Sequence, residues 1–331
     1  MGTGLNVLVT GASGFVGHHV VEALDRAGAK VHPLVRKSSS VKGLEKWSGD
    51  LRVADLRQPA ELGPAVKGMD VVIHLAGLTR ARNGEAFDRV NGEGVAHLAR
   101  ACLEEAPDLR RFVLISSAAA AGPSGRGPAV VEDRPPAPVT PYGRSKLLGE
   151  RRLVETLGDR LPWTIVRPPI VYGPWERDLF TVFRLCRRGL VPLLKGGRPR
   201  YSVVYAPDLA RGIVELMTHP GAVGETFFLA EAEAYTYRDL VLHVGRAVGR
   251  VPRMPGLPVP LAYAAAAAGS LAGLLRGRPP LVTLNRLPEM LAEGWVVDAS
   301  KARRLVGETC VTPFPEGARL TARWYVEEGW L

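Results

Sequence analysis

A short apolar run at 7–10 leads directly into Gly11-Ala12-Ser13-Gly14-Phe15-Val16-Gly17, and helical periodicity follows at 14–27. Strand, glycine-spaced turn and helix in that order leave little conformational choice. Gly11 permits the tight turn, Gly14 lets backbone approach a phosphate without a side chain between, and Gly17 permits close packing of helix on strand. The free amides of the turn and the positive end of the helix dipole then make an anion cradle that suits a pyrophosphate. Three glycines alone mean little; at this place in a strand–helix–strand unit they predict a dinucleotide site, with Ser13, Phe15 and Val16 as its other contacts.

The pattern continues as the loop demands. Expected strands at 30–35 and 165–166 and continuous apolar runs at 71–75 and 112–115 alternate with helical periodicity at 85–105 and 142–157. Continuous apolar strands between helices are buried on both faces, which predicts an α/β fold with a doubly wound parallel sheet, the Rossmann arrangement. Beyond residue 167 the pattern loosens. Helices are expected at 178–188 and 208–219, a strand at 225–229, and mainly helices joined by proline-rich turns from 236 onward. The expected organisation is a nucleotide-binding domain from 1–175 plus about 200–232, and a smaller, mostly helical substrate portion from 176–199 plus 233–331.

Charge narrows the partners. Lys and Arg number 43 against 33 Asp and Glu, a formal net charge of +10 over 331 residues. The basic residues are dispersed rather than gathered in a stripe, so nucleic acid is not expected, and an anionic cofactor is. Cys102, Cys186 and Cys310 stand far apart in no metal-type spacing; no metal is expected. Their odd number, with no basic segment leading into an apolar one at the start, fits a reducing, cytoplasmic setting. The stretch 254–275 carries no charge and includes an alanine run at 264–268. Pro255, Pro258 and Pro260 break its start, so the expectation is a buried or amphipathic helix, with membrane-surface contact as the other reading.

Two further segments carry chemistry. The second strand ends in Val35-Arg36-Lys37-Ser38 with no acidic residue. An acid there would bind ribose hydroxyls; Arg36 instead suits a 2′-phosphate, so NADP is preferred over NAD. Tyr142 and Lys146 are four apart on a helix and therefore share a face. A phenol ordinarily ionises near pH 10, and an ammonium beside it favours the phenolate, which turns it into an acid–base catalyst. Ser117 follows the strand at 112–115, where a hydroxyl can donate to a substrate oxygen that gains charge; Ser116 is its neighbour, and a turn-capping role is the structural alternative.

With Asp55-Leu56, His74-Leu75-Ala76-Gly77, Val90-Asn91-Gly92-Glu93-Gly94, Ser116-Ser117 and Arg167-Pro168-Pro169-Ile170-Val171-Tyr172-Gly173-Pro174 added, the chain resembles the extended short-chain dehydrogenases/reductases. The motifs run in family order over about the first 175 residues. Asp208-Leu209-Ala210 and 298–302 extend the match more weakly. The resemblance implies that Ser117 matches the catalytic serine, lying five before Gly122 and 25 before Tyr142. It also implies that Tyr142 is the acid–base and Lys146 its partner, that Asp55 and Leu56 contact adenine, that Leu75, Ala76, Gly77 and Pro168 line the cofactor groove, and that Asn91 supports the active site. Dehydratases of this family place carboxylates just after the catalytic serine or threonine; here stand Ala118 and Ala119. Epimerases usually carry an asparagine near the Arg-Pro segment; here it reads Pro168-Pro169. The chain looks more like the 3β-hydroxysteroid dehydrogenase and dihydroflavonol reductase branch, with Thr79, Ala118, Ala119, Pro169 and Trp175 as the substrate pocket. The expected activity is carbonyl–alcohol interconversion on a lipophilic small molecule. Nucleotide-sugar epimerisation and a non-catalytic cofactor-sensing role are the alternatives. A homodimer sharing helices 85–105 and 142–157 is expected from the same resemblance.

Overall fold

The computed structural model describes residues 4–39, 44, 47, 49–81, 83–276 and 287–331, with side chains except over 270–276. The first half alternates β1 (Asn6–Thr10), α1 (Phe15–Arg26), β2 (Lys30–Val35), β3 (Arg52–Val53), α2 (Leu62–Val66), β4 (Val71–His74), α3 (Gly84–Phe87), α4 (Gly94–Glu105), β5 (Arg111–Ile115), α5 (Ala118–Ala121), α6 (Pro141–Leu157) and β6 (Trp163–Arg167). The second half runs β7 (Ile170–Tyr172), α7 (Phe180–Arg188), β8 (Leu193–Leu194), β9 (Arg200–Tyr205), α8 (Ala206–Thr218), β10 (Glu225–Phe228), β11 (Ala234–Thr236), α9 (Tyr237–Ala247), β12 (Gly256–Leu257) and α10 (Val259–Arg276). It ends with α11 (Leu287–Met290), β13 (Gly294–Trp295), α12 (Ser300–Val306) and α13 (Phe314–Glu327).

Seven strands form one sheet in the order β10-β6-β5-β4-β1-β2-β3, and every pairing is parallel. This is the doubly wound sheet that the apolar runs predict. β4 and β5 are buried along their whole length, so water imposes no alternation on their sequences. One core joins the sheet to α1 and α8 through Val7, Val9, Val20, Leu24 and Ile213. A second covers the other face through Leu8, Val72, Leu98, Phe112 and Leu153. Strand order reverses between β1 and β4, where Thr10 partners His74. Strand C-termini diverge at such a point and open a crevice.

Two features differ from the expected pattern. The helical periodicity at 85–105 is interrupted by a π turn at Asp88–Glu93, which rotates Asn91 inward. Residues 200–205 form β9, the centre of a second sheet that takes β11 on one side and β13 on the other, with β7 also pairing β9. Of the return segment 200–232, β9 thus lies in the second sheet, α8 packs on α1, and β10 closes the edge of the large sheet. The second sheet packs on α7, α9 and α13 through Tyr172, Phe183, Tyr235, Val241, Phe314 and Tyr325. The uncharged stretch becomes β12 and α10, and no helix among the described residues is long and apolar enough to cross a membrane.

Candidate active site

The phosphate loop is held by backbone contacts that leave no room for side chains. Gly11 has φ +72°, and a Cβ on it would lie 2.7 Å from the Ala76 amide nitrogen. A Cβ on Gly17 would lie 2.2 Å from the Gly11 carbonyl oxygen. The loop is therefore pressed between the end of β4 and the first turn of α1. Gly14 caps α1 in an extended conformation, and no side chain caps the helix, so its first amides remain for an anion. This cradle fits a dinucleotide pyrophosphate.

At the adenosine end the arrangement is looser. Arg36 is exposed directly after β2, its amide donating to Ser39 Oγ. Asp55, just past β3, pairs with Arg57 at 2.5 Å, and that hydrogen bond holds its carboxyl down to about 2. Leu56 buries its side chain in the core under α4. Gly11, Ser13, Gly14, Phe15, Val16, Gly17, Leu75, Gly77 and Pro168 all line one large cleft. Arg36, Asp55, Leu56, Ala76 and Asn91 are not among its lining residues.

Tyr142 and Lys146 are positioned by the start of α6. Thr140 Oγ1 accepts from the Gly143 amide at 3.1 Å and Pro141 occupies the first helical position, so the helix start is fixed at that register. Tyr142 lies in the first turn with its ring edge-on to Phe87. One turn later Lys146 Nζ donates to the Ile115 carbonyl at 2.7 Å, which ties α6 to the end of β5. Burial pushes the Lys146 ammonium down to about 8, partly opposed by Glu150. Glu150 and Arg167 form a buried bidentate pair at 2.9 and 2.6 Å, locking α6 to β6. Asn91, turned inward by the π segment, accepts from the Leu78 amide at 2.7 Å and donates to the Leu78 carbonyl at 2.9 Å and to Ser145 Oγ at 3.0 Å. Ser145 donates in turn to the Tyr142 carbonyl at 2.8 Å. Asn91 thus fixes the loop after β4 against α6.

Ser117 does cap a short helix: its Oγ accepts from the Ala119 amide at 3.2 Å. A hydroxyl that accepts there still has its O–H to donate, and Ser117, Tyr142 and Lys146 line the same cleft. The capping role and the expected catalytic role are therefore compatible. His74, at the end of β4, is buried beside the crevice. It shares a 2.7 Å hydrogen bond with Thr10 Oγ1, which accepts from the Ala76 amide at 3.0 Å. Burial drives its pKa down to about 3, so it is neutral and joins β1 to β4 at the crevice.

The cleft has a volume of about 1840 Å³ and runs from the phosphate loop past Thr79, Ala118, Ala119, Pro169 and Trp175 to Leu194, Tyr201, Tyr237, Leu257 and Trp295. The loop entering α7 forms one wall. Trp175 has φ +72° and stacks on His18 with ring centres 4.7 Å apart. Glu176 is buried; its carboxylate accepts from the Asp178 amide at 2.8 Å and from the Leu179 amide, and burial pushes it up to about 7. Asp178 pairs with Arg80 from the β4 side. Thr79 and Trp175, expected from the sequence as pocket residues, line the cleft, and so do Arg80, Glu176 and Asp178, which no motif in the sequence marks. Only the crossing of two loops 98 residues apart brings Arg80 and Asp178 together, and no local spacing signals it.

The chain is similar to known proteins over nearly its whole length. The chain is 30% identical over 326 residues to a ceramide reductase of Caulobacter vibrioides, covering 98% of this chain and 96% of the relative. It is 27% identical to a UDP-glucose 4-epimerase of Vibrio cholerae, covering 97% and 96%. The crystal structure of gox2253 superposes with a TM-score of 0.81 at 26% identity, covering 98% of this chain and 99% of that one. The names of the reductase and epimerase relatives denote different chemistry. Residues 7–230 match the model of the family as a whole, and this chain belongs to the NAD dependent epimerase/dehydratase family.

Proposed function

We propose that the protein interconverts a carbonyl and an alcohol on a lipophilic small molecule, with NADP preferred over NAD. The observation that carries this reading is the placement of Ser117, Tyr142 and Lys146 along a cleft whose far end is lined by Leu194, Tyr201, Tyr237 and Leu257. When bound, the dinucleotide supplies or accepts the hydride. The Ser117 O–H donates to the substrate oxygen as negative charge grows on it. Tyr142 passes a proton to that oxygen, or removes one in the reverse direction. The Lys146 ammonium favours the phenolate form of Tyr142 and is steadied by the Ile115 carbonyl. Exposed Arg36, with no acid at the end of β2, supports the 2′-phosphate.

Ceramide reductase acts, by its name, on a lipid, and its similarity spans nearly the whole chain. The epimerase relative keeps nucleotide-sugar epimerisation as the second reading. Ala118 and Ala119 provide no carboxylate beside Ser117 for water elimination. The test is oxidation of NADPH and NADH with long-chain and polycyclic ketones, alongside Tyr142→Phe. The expected result is turnover with NADPH that falls about a hundredfold or more in the variant. Full turnover by a variant that still binds the dinucleotide sinks the proposal, and turnover of a uridine diphosphate sugar in its place selects the second reading.

A further inference from the structure

The corner of the substrate lobe that carries α10 is unusual in both its apolar and its charged residues. Leu261 and Tyr263 are 58% and 48% exposed, and Ala264, Ala267 and Ala268 are exposed beside them. No charged residue occurs anywhere in 254–275. A helix face of this kind gains nothing from water. The opposite side of α10 is packed: Ala262 and Ala266 are buried with Leu287 against Leu194, Leu257 and Leu291. Ala262 and Ala265, with Leu257 and Met290, also line the apolar end of the active-site cleft. One helix thus covers the end of the cleft with one side and presents only uncharged side chains, mostly apolar, among its described residues to solvent with the other.

Arginines gather next to it. Leu190 bridges to Arg253, and Arg250 Nη1 donates to the Arg187 carbonyl at 3.2 Å, which joins the end of α7 to the turn after α9. Arg184, Arg187, Arg188, Arg246, Arg250 and Arg253 are all exposed. Neither 180–194 nor 240–269 contains a carboxylate. Leu190 and Val251, 49% and 58% exposed, stand among these arginines. From Arg253 the chain passes through β12, paired with β8, into α10. Apolar side chains beside arginines whose own segments carry no carboxylate suit a surface with phosphates outside and hydrocarbon beneath.

We propose that α10 and the arginine-rich turns beside it dock on an anionic lipid bilayer, and that a lipid substrate passes beneath α10 into the cleft. The docking stands on the surface alone; the passage of substrate rests on the proposed carbonyl–alcohol activity. Contact is interfacial: the exposed leucine and tyrosine enter the headgroup boundary while the guanidinium groups meet lipid phosphates.

The test is co-sedimentation of the full chain with phosphatidylcholine vesicles, plain or containing one-fifth phosphatidylglycerol. The expected result is binding to the anionic vesicles that weakens with salt, and about a tenfold lower partition for a Leu261→Asp, Tyr263→Asp double variant. Both side chains are exposed and outside the cleft lining, so the variant should keep its thermal melting and its turnover of a short water-soluble ketone. Wild type that stays in solution with both vesicles overturns the docking, and so does a double variant that sediments like wild type. A double variant that becomes monomeric from a wild-type dimer, with no vesicle binding by either, assigns the face to a second copy and also overturns it. Vesicle binding with no turnover of any carbonyl upholds the docking and overturns the passage of substrate.

Discussion

The two ends of the cleft are built on different physical terms. At the cofactor end, backbone meets backbone: the position of Gly17 would put a Cβ 2.2 Å from a carbonyl oxygen, and neither atom has anywhere to go. In the aromatic core behind the far end, side chain meets side chain. Tyr325 packs against Phe180 and Phe183 at ring separations of 5.0 and 5.1 Å, and Trp330 stacks on Tyr325 at 5.6 Å. The first kind of contact accepts one residue type. The second accepts several apolar shapes of similar volume. Substitution is therefore expected to be tolerated more readily in the aromatic cluster than in the phosphate loop.

Substitutions at each end can break this contrast. Gly17→Ala should have the largest effect. Overpacking against backbone costs about 3 kcal/mol, and if the loop absorbs it, dinucleotide affinity falls about a hundredfold. Fluorescence titration with NADPH measures it; unchanged affinity would mean that the loop yields and the contrast is wrong.

The next effect is in pH. Lys146 titrates at about 8, below the ordinary lysine value of 10.5. The ammonium is present below that pH and lost above it, so kcat/KM should fall by up to about tenfold per unit above pH 8. Stability should move the other way. Between about 8 and 10.5 the unfolded chain binds more protons at this lysine than the folded one, so this group makes folding more favourable as pH rises. The burial penalty on the ammonium is fully present below pH 8. A pH–rate profile together with melting of the apoprotein separates the two effects; a rate that stays flat through pH 9 removes Lys146 from the proposed role.

Phe180→Leu should have the smallest effect. Its ring meets Tyr325 and Trp330 but is only partly buried, so a loss of about 1 kcal/mol is expected. Denaturant melting measures it, and a cost matching that of Gly17→Ala would show the substrate lobe to be as exacting as the loop.

Legibility in the sequence followed the same division. The expected bounds of β1 and β2 match the structure almost to the residue, because each lies beside the phosphate loop's strand–turn–helix unit and ends at a glycine turn or a charge. β9 was missed. Its residues Arg200-Tyr201-Ser202-Val203-Val204-Tyr205 mix aromatic, polar and aliphatic types, and its partners β7, β11 and β13 are two to three residues long and far apart in sequence. The π turn at Asp88–Glu93 was missed for another reason. The surrounding segment keeps helical periodicity, and the bonds that Asn91 makes to Leu78 and Ser145 from within the π turn join segments distant in the chain. Arg36 and Asp55 could be named from position, but their states differ: one is an exposed charge, the other is already engaged by Arg57.

The sequence by itself determined the strand–loop–helix cradle, the parallel sheet behind it, and the placing of Tyr142 and Lys146 on one helical face. Each depends on a local rule of backbone geometry or period. Only the tertiary structure decided that Ser117 lines the same cleft as that pair, that Glu176 is buried in its wall, that Arg80 crosses to Asp178, and that α10 turns one side to the cleft and the other outward. Those facts depend on contacts between segments distant in the chain, and burial, which sets the protonation of Lys146 and Glu176, exists only once the segments have met.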